Sequence, residues 1–239
     1  MIKKCAGLAI LIALLNCYCY TVSAQNILQI NYPVEGNTID FDDYNSNYLK
    51  PATLIIPGTF LIYGALKPVV HGIAQLDDDI LRQVKTNHPG FHTHVDNYAM
   101  WAPSASVYVL DAFKVSTSHS FQEHLLLDAG SIVLTGGIGY IMRKTTHNIK
   151  AYTTHNTKFP SGHVANAFRG AEFFHQELKD NNTLLSYSGY VVATTVGVLR
   201  IYNKVHLLTE VLAGAGLGIL STKLTYLIFE KTRLLKRQY

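Results

Sequence analysis

Apolar residues along this chain fall into six blocks separated by polar turns, over residues 51–66, 97–110, 125–142, 164–178, 184–200 and 206–229. Within the blocks the spacing is three and four residues. Val164, Ala167, Phe168, Ala171, Phe174 and Leu178 show it in one stretch, and this is the repeat of a helix rather than the alternation of a strand. No internal repeat with a period of roughly 20 to 50 residues is present. The pattern therefore predicts an all-α fold, a helical bundle of about six core helices over residues 51–230.

The segments outside the bundle read differently. Residues 1–24 carry Lys3 and Lys4, an apolar run from Ala6 to Leu15, and small residues ending at Ala24, the layout of a secretory signal peptide; an uncleaved anchor helix is the alternative. Residues 25–50 are a polar, Asn- and Asp-rich extension without a usable motif. Residues 231–239 form a basic tail with Lys231, Arg233, Lys236 and Arg237, which suits an anionic membrane surface and equally suits a solvated helix end.

Whether the blocks cross a membrane turns on length, since a span needs about 20 mostly apolar residues. Between flanking charges, 16 residues lie from Lys50 to Lys67, 14 from Asp96 to Asp111, 14 from Asp128 to Arg143, 12 from Glu210 to Lys223, and 19 from Asp180 to Arg200. Most fall short. The count favours a compact bundle of buried helices, or a bundle sunk partly into a membrane with its charges at the rim.

Composition narrows the function classes. The chain has 239 residues, 48% of them hydrophobic, and a net charge of only +4 with no basic stripe interleaved with aromatics, which argues against a nucleic-acid partner. All three cysteines, Cys5, Cys17 and Cys19, lie within residues 1–24. A mature chain would then have neither disulfide nor thiolate metal site, and the expected location is the bacterial cell envelope, exported, facing the periplasm and membrane-associated. His92 and His94, two residues apart in a loop with no carboxylate partner, do not suggest a metal site either.

Chemistry concentrates in three places. The stretch Pro160, Ser161, Gly162, His163 precedes an amphipathic helix. A serine able to cap, a glycine that admits close approach, and the free amides of a helix start make an anion site, with His163 beside it as proton donor; an ordinary cap with a surface histidine is the alternative. In residues 199–211, His206 and Glu210 stand four apart on one helix face, just after Arg200. The carboxylate can fix the imidazole tautomer and leave the other nitrogen free to attack or to bind, although such pairs are also common on helix surfaces. In residues 142–152, Arg143, Lys144 and Lys150 would neutralise a phosphate, or simply be solvated. Gly214 and Gly218 permit close helix approach.

Together the three places resemble the superfamily of type 2 phosphatidic acid phosphatases, bacterial class A acid phosphatases and vanadium haloperoxidases. Its pattern is Lys-x6-Arg-Pro, then Pro-Ser-Gly-His, then Ser-Arg-x5-His-x3-Asp. Here the second motif is intact, and the third keeps its spacing with Leu199 for serine and Glu210 for aspartate. The first is degenerate: Arg143 replaces lysine, Lys150 replaces arginine and Ala151 replaces proline. The Gly/Ala-rich last helix is similar to the form found in Bacteroides-like bacteria. The resemblance implies a metal-free phosphatase without cofactor, acting on a phosphorylated lipid or small phosphate ester, whose pocket also takes inorganic phosphate or vanadate. It assigns the nucleophile to His206, the acid to His163 and the orienting carboxylate to Glu210, with Arg143, Lys150, Ser161, Gly162 and Arg200 holding the phosphoryl oxygens. The alternative is a catalytically impaired envelope protein that binds phosphate or lipid phosphate.

Overall fold

The computed structural model describes residues 51–153 and 158–237; the predicted signal peptide and the polar extension lie outside them. The described residues form helices α1 (Pro51–Ala65), α2 (His71–Asn87), α3 (Val95–Ala99), α4 (Ala102–Ala112), α5 (Phe121–Thr146), α6 (Lys150–Thr153), α7 (Gly162–Leu178), α8 (Thr183–Ser186), α9 (Ser188–Tyr202) and α10 (Leu208–Arg237), with no strand among them. The fold is all-α, as the spacing predicts.

α7 is the axis of the bundle. It packs on α10, α9, α4 and α5, and every residue from Ala167 to Leu178 is buried. Because no face of α7 beyond Asn166 reaches solvent, the polar residues there must find partners inside. Arg169 is fully buried and donates to Ser131 at 2.9 Å, to Ser104 at 3.0 Å and to Asn166 at 3.0 Å, and it pairs with Asp128 of α5. Glu172 pairs with Lys223 of α10 at 2.9 Å. At the far end of α7, Glu177 receives His119 at 2.9 Å and His124 at 2.9 Å, and His119 reaches Glu230 of α10 at 2.8 Å.

α10 lies against α7 on one side and α1 on another through glycines. A Cβ on Gly218 would sit 2.2 Å from the Ala165 carbonyl oxygen and 2.7 Å from the Arg169 nitrogen; one on Gly214 would sit 2.7 Å from the Ser161 oxygen; one on Gly216 would sit 2.4 Å from the Pro57 oxygen of α1. The small residues are therefore backbone contact points, the arrangement that lets helices associate closely without a hydrophobic drive between them.

Two expectations need correction. The sequence pattern leaves residues 67–96 without a helix, whereas α2 spans 17 of them. α2 is polar overall and buries only a seam, Asp77, Leu81 and Val84, at positions i, i+4 and i+7; a search for apolar blocks passes over it. The charge-to-charge count also understates the spans. Phe121–Thr146 runs 26 residues, Thr183–Tyr202 runs 20 and Leu208–Arg233 runs 26, each long and apolar enough to cross a membrane. Asp128, which cut one count to 14, is neutralised by Arg169, and Lys223, which cut another to 12, by Glu172. A charge paired inside the bundle does not end a span. α5 turns Leu125, Leu126, Ile132, Val133, Tyr140 and Ile141 outward, an apolar exterior too extensive for water. The chain is membrane-associated.

Candidate functional site

The first turn of α7 and the turn before α10 meet at one end of the bundle. Ser161 occupies the N-cap position of α7, and its backbone N–H donates to the Glu210 carbonyl oxygen at 3.0 Å. This bond joins the Pro160–His163 stretch to the His206–Glu210 pair. The first bond of the α7 ladder runs from Ala165 N–H to the Ser161 carbonyl at 3.0 Å, so the amides of Gly162, His163 and Val164 precede the ladder and point out of the helix start. The Ser161 hydroxyl makes no cap bond; its Oγ is buried and has no hydrogen-bond partner among the described residues. This corrects one sequence expectation. The Ser161 amide is already engaged, so what Ser161 can offer an anion is its hydroxyl.

His206 is 8% exposed, and its Nδ1 lies 2.7 Å from Glu210 Oε2. The same oxygen accepts the Leu207 N–H at 3.3 Å. A carboxylate in that position accepts a hydrogen bond from Nδ1–H and so selects the tautomer whose Nε2 lone pair is free. Glu210 thus acts both as partner of the imidazole and as the residue that reaches back over the start of α10.

His163 Nε2 donates to Asn97 Oδ1 at 2.9 Å, which leaves Nδ1 as its second functional atom. Burial holds its pKa below the ordinary histidine value; the positive charge of Arg200 adds to this, Asp96 opposes it, and His206 lowers it further. Arg200 and His206 both bear on the charge of His163. Arg200 itself is fixed: Nη1 donates to Asp96 Oδ2 at 2.7 Å, while Nε is buried with no hydrogen-bond partner among the described residues.

Arg143, near the end of α5, reaches the site from the other side. Its Nη2 lies 3.2 Å from the place a Cβ on Gly162 would occupy, so the bare backbone of Gly162 is what lets the guanidinium lie across the start of α7. Since the obstructing atom is the end of a flexible side chain, Gly162→Ala is expected to leave the melting temperature within about 2 °C while lowering kcat/KM about tenfold, a loss of about 1.4 kcal/mol in transition-state binding. Parallel thermal unfolding and initial rates on a phosphate monoester check this.

Arg143, Pro160, Gly162 and His163 line a cavity of about 260 Å³, together with Met100, Trp101, Ile132, Thr135, Gly136, Gly139, Ala165, Asn166 and Leu217. Lys150 does not line this cavity, and neither do Arg200, His206 and Glu210. Lys150 opens the short helix α6, which is anchored by Tyr152: the ring stacks 4.4 Å from Phe159, and the hydroxyl donates to the Gly64 carbonyl at 3.0 Å.

Sequence reasoning missed Asp96 and Asn97, which orient Arg200 and His163. It also missed the clamp that brings them there. Asn203 accepts the Thr93 N–H at 2.9 Å and donates to the Thr93 carbonyl at 2.9 Å, docking the 88–97 segment on the turn after Arg200. No group of three or more His, Cys, Asp or Glu side chains suited to a metal occurs among the described residues.

Residues 129–234 match the family model of the PAP2 superfamily. A curated relative, the lipid A 1-phosphatase of Porphyromonas gingivalis, is 33% identical over 153 residues, covering 63% of this chain and 34% of the relative. The chain thus spans about a third of that relative's length. Among solved structures, the transmembrane PAP2 type phosphatidylglycerolphosphate phosphatase of Bacillus subtilis is similar with a TM-score of 0.46 and 23% identity, over 76% of this chain and 96% of that one.

Proposed function

Because the chain belongs to the PAP2 superfamily, we propose that it is a metal-independent phosphatase that hydrolyses a phosphate monoester or diphosphate carried by a lipid, through a phosphohistidine at His206. The observation that carries this reading is the pairing of His206 Nδ1 with Glu210 at 2.7 Å, joined to the open start of α7 by the Ser161 N–H bond to the Glu210 carbonyl oxygen at 3.0 Å.

In the first step His206 Nε2 attacks phosphorus, the bond to the leaving oxygen breaks, and His163 Nδ1 gives that oxygen its proton. In the second, water attacks the phosphohistidine while His163 takes a proton from it, and inorganic phosphate leaves with His206 restored. Charge spread over the three equatorial oxygens calls for fixed donors and cations around them. In this reading the Gly162, His163 and Val164 amides, the Ser161 hydroxyl, Arg143 and Arg200 supply them, with Lys150 of α6 as a further cation. Arg143 standing where the family has lysine gives a two-pronged grip, and Lys150 standing for arginine gives a point charge. The lowered pKa of His163 makes it a readier proton donor once a phosphate dianion has drawn a proton to it.

The lipid part of the reading rests on the cavity. Arg143, Gly162 and His163 line it beside the proposed phosphate site, and the rest of its α5 wall is Ile132, Thr135, Gly136 and Gly139. Gly136 lines that wall, and a Cβ there would meet nothing within 4 Å; helix packing does not require a glycine at this position, and its effect is to leave room for a chain. The site is read as facing the periplasm in an exported protein, the side on which the predicted signal peptide would deliver it.

The test uses the full chain in detergent. Release of phosphate from a chromogenic monoester and from a lipid phosphate in the presence of EDTA, blocked by vanadate, is the expected result. No release from monoester, diphosphate or lipid phosphate would instead make this a phosphate-binding envelope protein. Gly136→Leu is expected to raise KM for the lipid phosphate about tenfold, by filling the space of the chain, and to leave KM for the chromogenic monoester within about twofold. An equal change for both substrates would remove the cavity from the account.

A further inference from the structure

The residues that orient His206 do so through the first turn of α10, and that turn has an unusual start. Its N-cap position is Leu207, which has no side-chain acceptor for the exposed amides of a helix start. Glu210 reaches back to the Leu207 N–H, as the third residue of a capping box does, but leucine returns nothing. The missing acceptor comes from α2. Asp77 Oδ1 accepts the Thr209 N–H at 3.1 Å, and Asp77 Oδ2 accepts the Thr209 hydroxyl at 2.6 Å. Asp77 is 1% exposed and Thr209 fully buried. Lys67, itself 5% exposed, places Nζ 3.1 Å from Asp77 Oδ2 and supplies the countercharge that a carboxylate needs there.

Thr209 stands between His206 and Glu210 in the same turn. Tilting or fraying that turn would change the angle at which Glu210 meets His206 Nδ1 and hence the line of attack of Nε2. Misplacement of a reacting group by about 1 Å can cost on the order of 100-fold in rate. A buried ion pair is weak evidence for stability, since burial costs each charge its hydration; an acceptor pair aimed at the single turn that carries the nucleophile has a more specific use. Both Lys67 and Asp77 lie ahead of residues 129–234, outside the stretch that the family model matches.

We propose that Asp77, braced by Lys67, is a positioning residue for His206: by accepting both donors of Thr209 it fixes the first turn of α10 and the geometry of the His206–Glu210 pair. This rests on His206 being the nucleophile of the proposed reaction.

The test compares the full chain in detergent with Asp77→Ala, with the double variant Asp77→Asn and Lys67→Met, with Thr209→Val, and with Leu127→Ala. Leu127 lies in the core cluster around Phe173, Phe174 and Tyr226 and serves as a control for lost stability. Asp77→Ala is expected to lower kcat about 30-fold with KM within about twofold. The double variant keeps an acceptor for the Thr209 N–H without stranding a buried charge, and should recover most of the rate. Thr209→Val loses only the hydroxyl bond and should fall about fivefold. Leu127→Ala should lose melting temperature but keep kcat. Hydrogen exchange at amides 206–211 should quicken in Asp77→Ala and not in Leu127→Ala. Undiminished kcat in Asp77→Ala, or a loss no larger than in Leu127→Ala, would overturn the proposal. Should Asp77→Ala not fold, the double variant and Thr209→Val decide it, and full activity in Thr209→Val with unchanged exchange overturns it. A wild-type chain that releases no phosphate would defeat the functional reading alone, and the exchange comparison would still decide whether Asp77 fixes the turn.

Discussion

His206→Ala is expected to abolish turnover, with kcat falling at least about a thousandfold while the chain remains folded. Removing a nucleophile removes the covalent path altogether, and what survives is the contribution of binding and of the amides at the start of α7. The helices should still form because His206 precedes α10 and, among the described residues, its side chain pairs with Glu210, although the buried carboxylate left behind should lower the melting temperature. Glu210, now without its imidazole, keeps the Leu207 N–H. His163→Ala should behave differently: it removes the proton for the leaving group, so the loss should be severe for a poor leaving group such as an aliphatic alcohol and mild for a nitrophenolate, which departs without one. Initial rates of the two variants on an alkyl and an aryl phosphate separate the roles.

Gly218→Ala is expected to be the most damaging alanine substitution among the described glycines. The added Cβ would meet the Ala165 carbonyl oxygen at 2.2 Å and the Arg169 nitrogen at 2.7 Å, and neither backbone atom can step aside without moving α7. Overpacking in a well-filled core costs about 1–3 kcal/mol, and the backbone contact places this variant at about 3 kcal/mol or above. A fall in melting temperature of roughly 6–12 °C would follow for a domain of this size. Because Ala165 lies two residues from His163, activity should fall even where the protein remains folded. Thermal unfolding of Gly218→Ala beside Gly137→Ala, where a Cβ would meet nothing within 4 Å, provides the comparison.

What the sequence makes legible is what lies close along the chain. The start of α7 can be read from Pro160–His163, and the His206–Glu210 pair from a spacing of four, because a cap and a helical turn are local objects. The Gly214 and Gly218 contacts can be read as close packing for the same reason. The length of α5 cannot, because the residue that neutralises Asp128 is Arg169, 41 positions away. The positioning residues are equally out of reach: Asp96 meets Arg200 across 104 positions, and Asp77 meets Thr209 across 132. α2 was hidden in a further way. It exposes most of its surface and buries an aspartate in its seam, so a search for apolar blocks finds nothing over residues 71–87. Motif spacing also does not say which residues share a cavity: Arg143 and His163 line one, and Lys150, Arg200 and His206 do not.

The central claim is that phosphorus passes through the Nε2 atom of His206. Rapid quenching of the wild-type chain during turnover, followed by peptide mass spectrometry under alkaline conditions that preserve phosphohistidine, tests it most directly. The account predicts a phosphoryl group on the peptide that contains His206, formed within one turnover and missing in His206→Ala. A phosphoryl group on His163 instead, or steady release of phosphate with no phosphorylated histidine at any time, would contradict it.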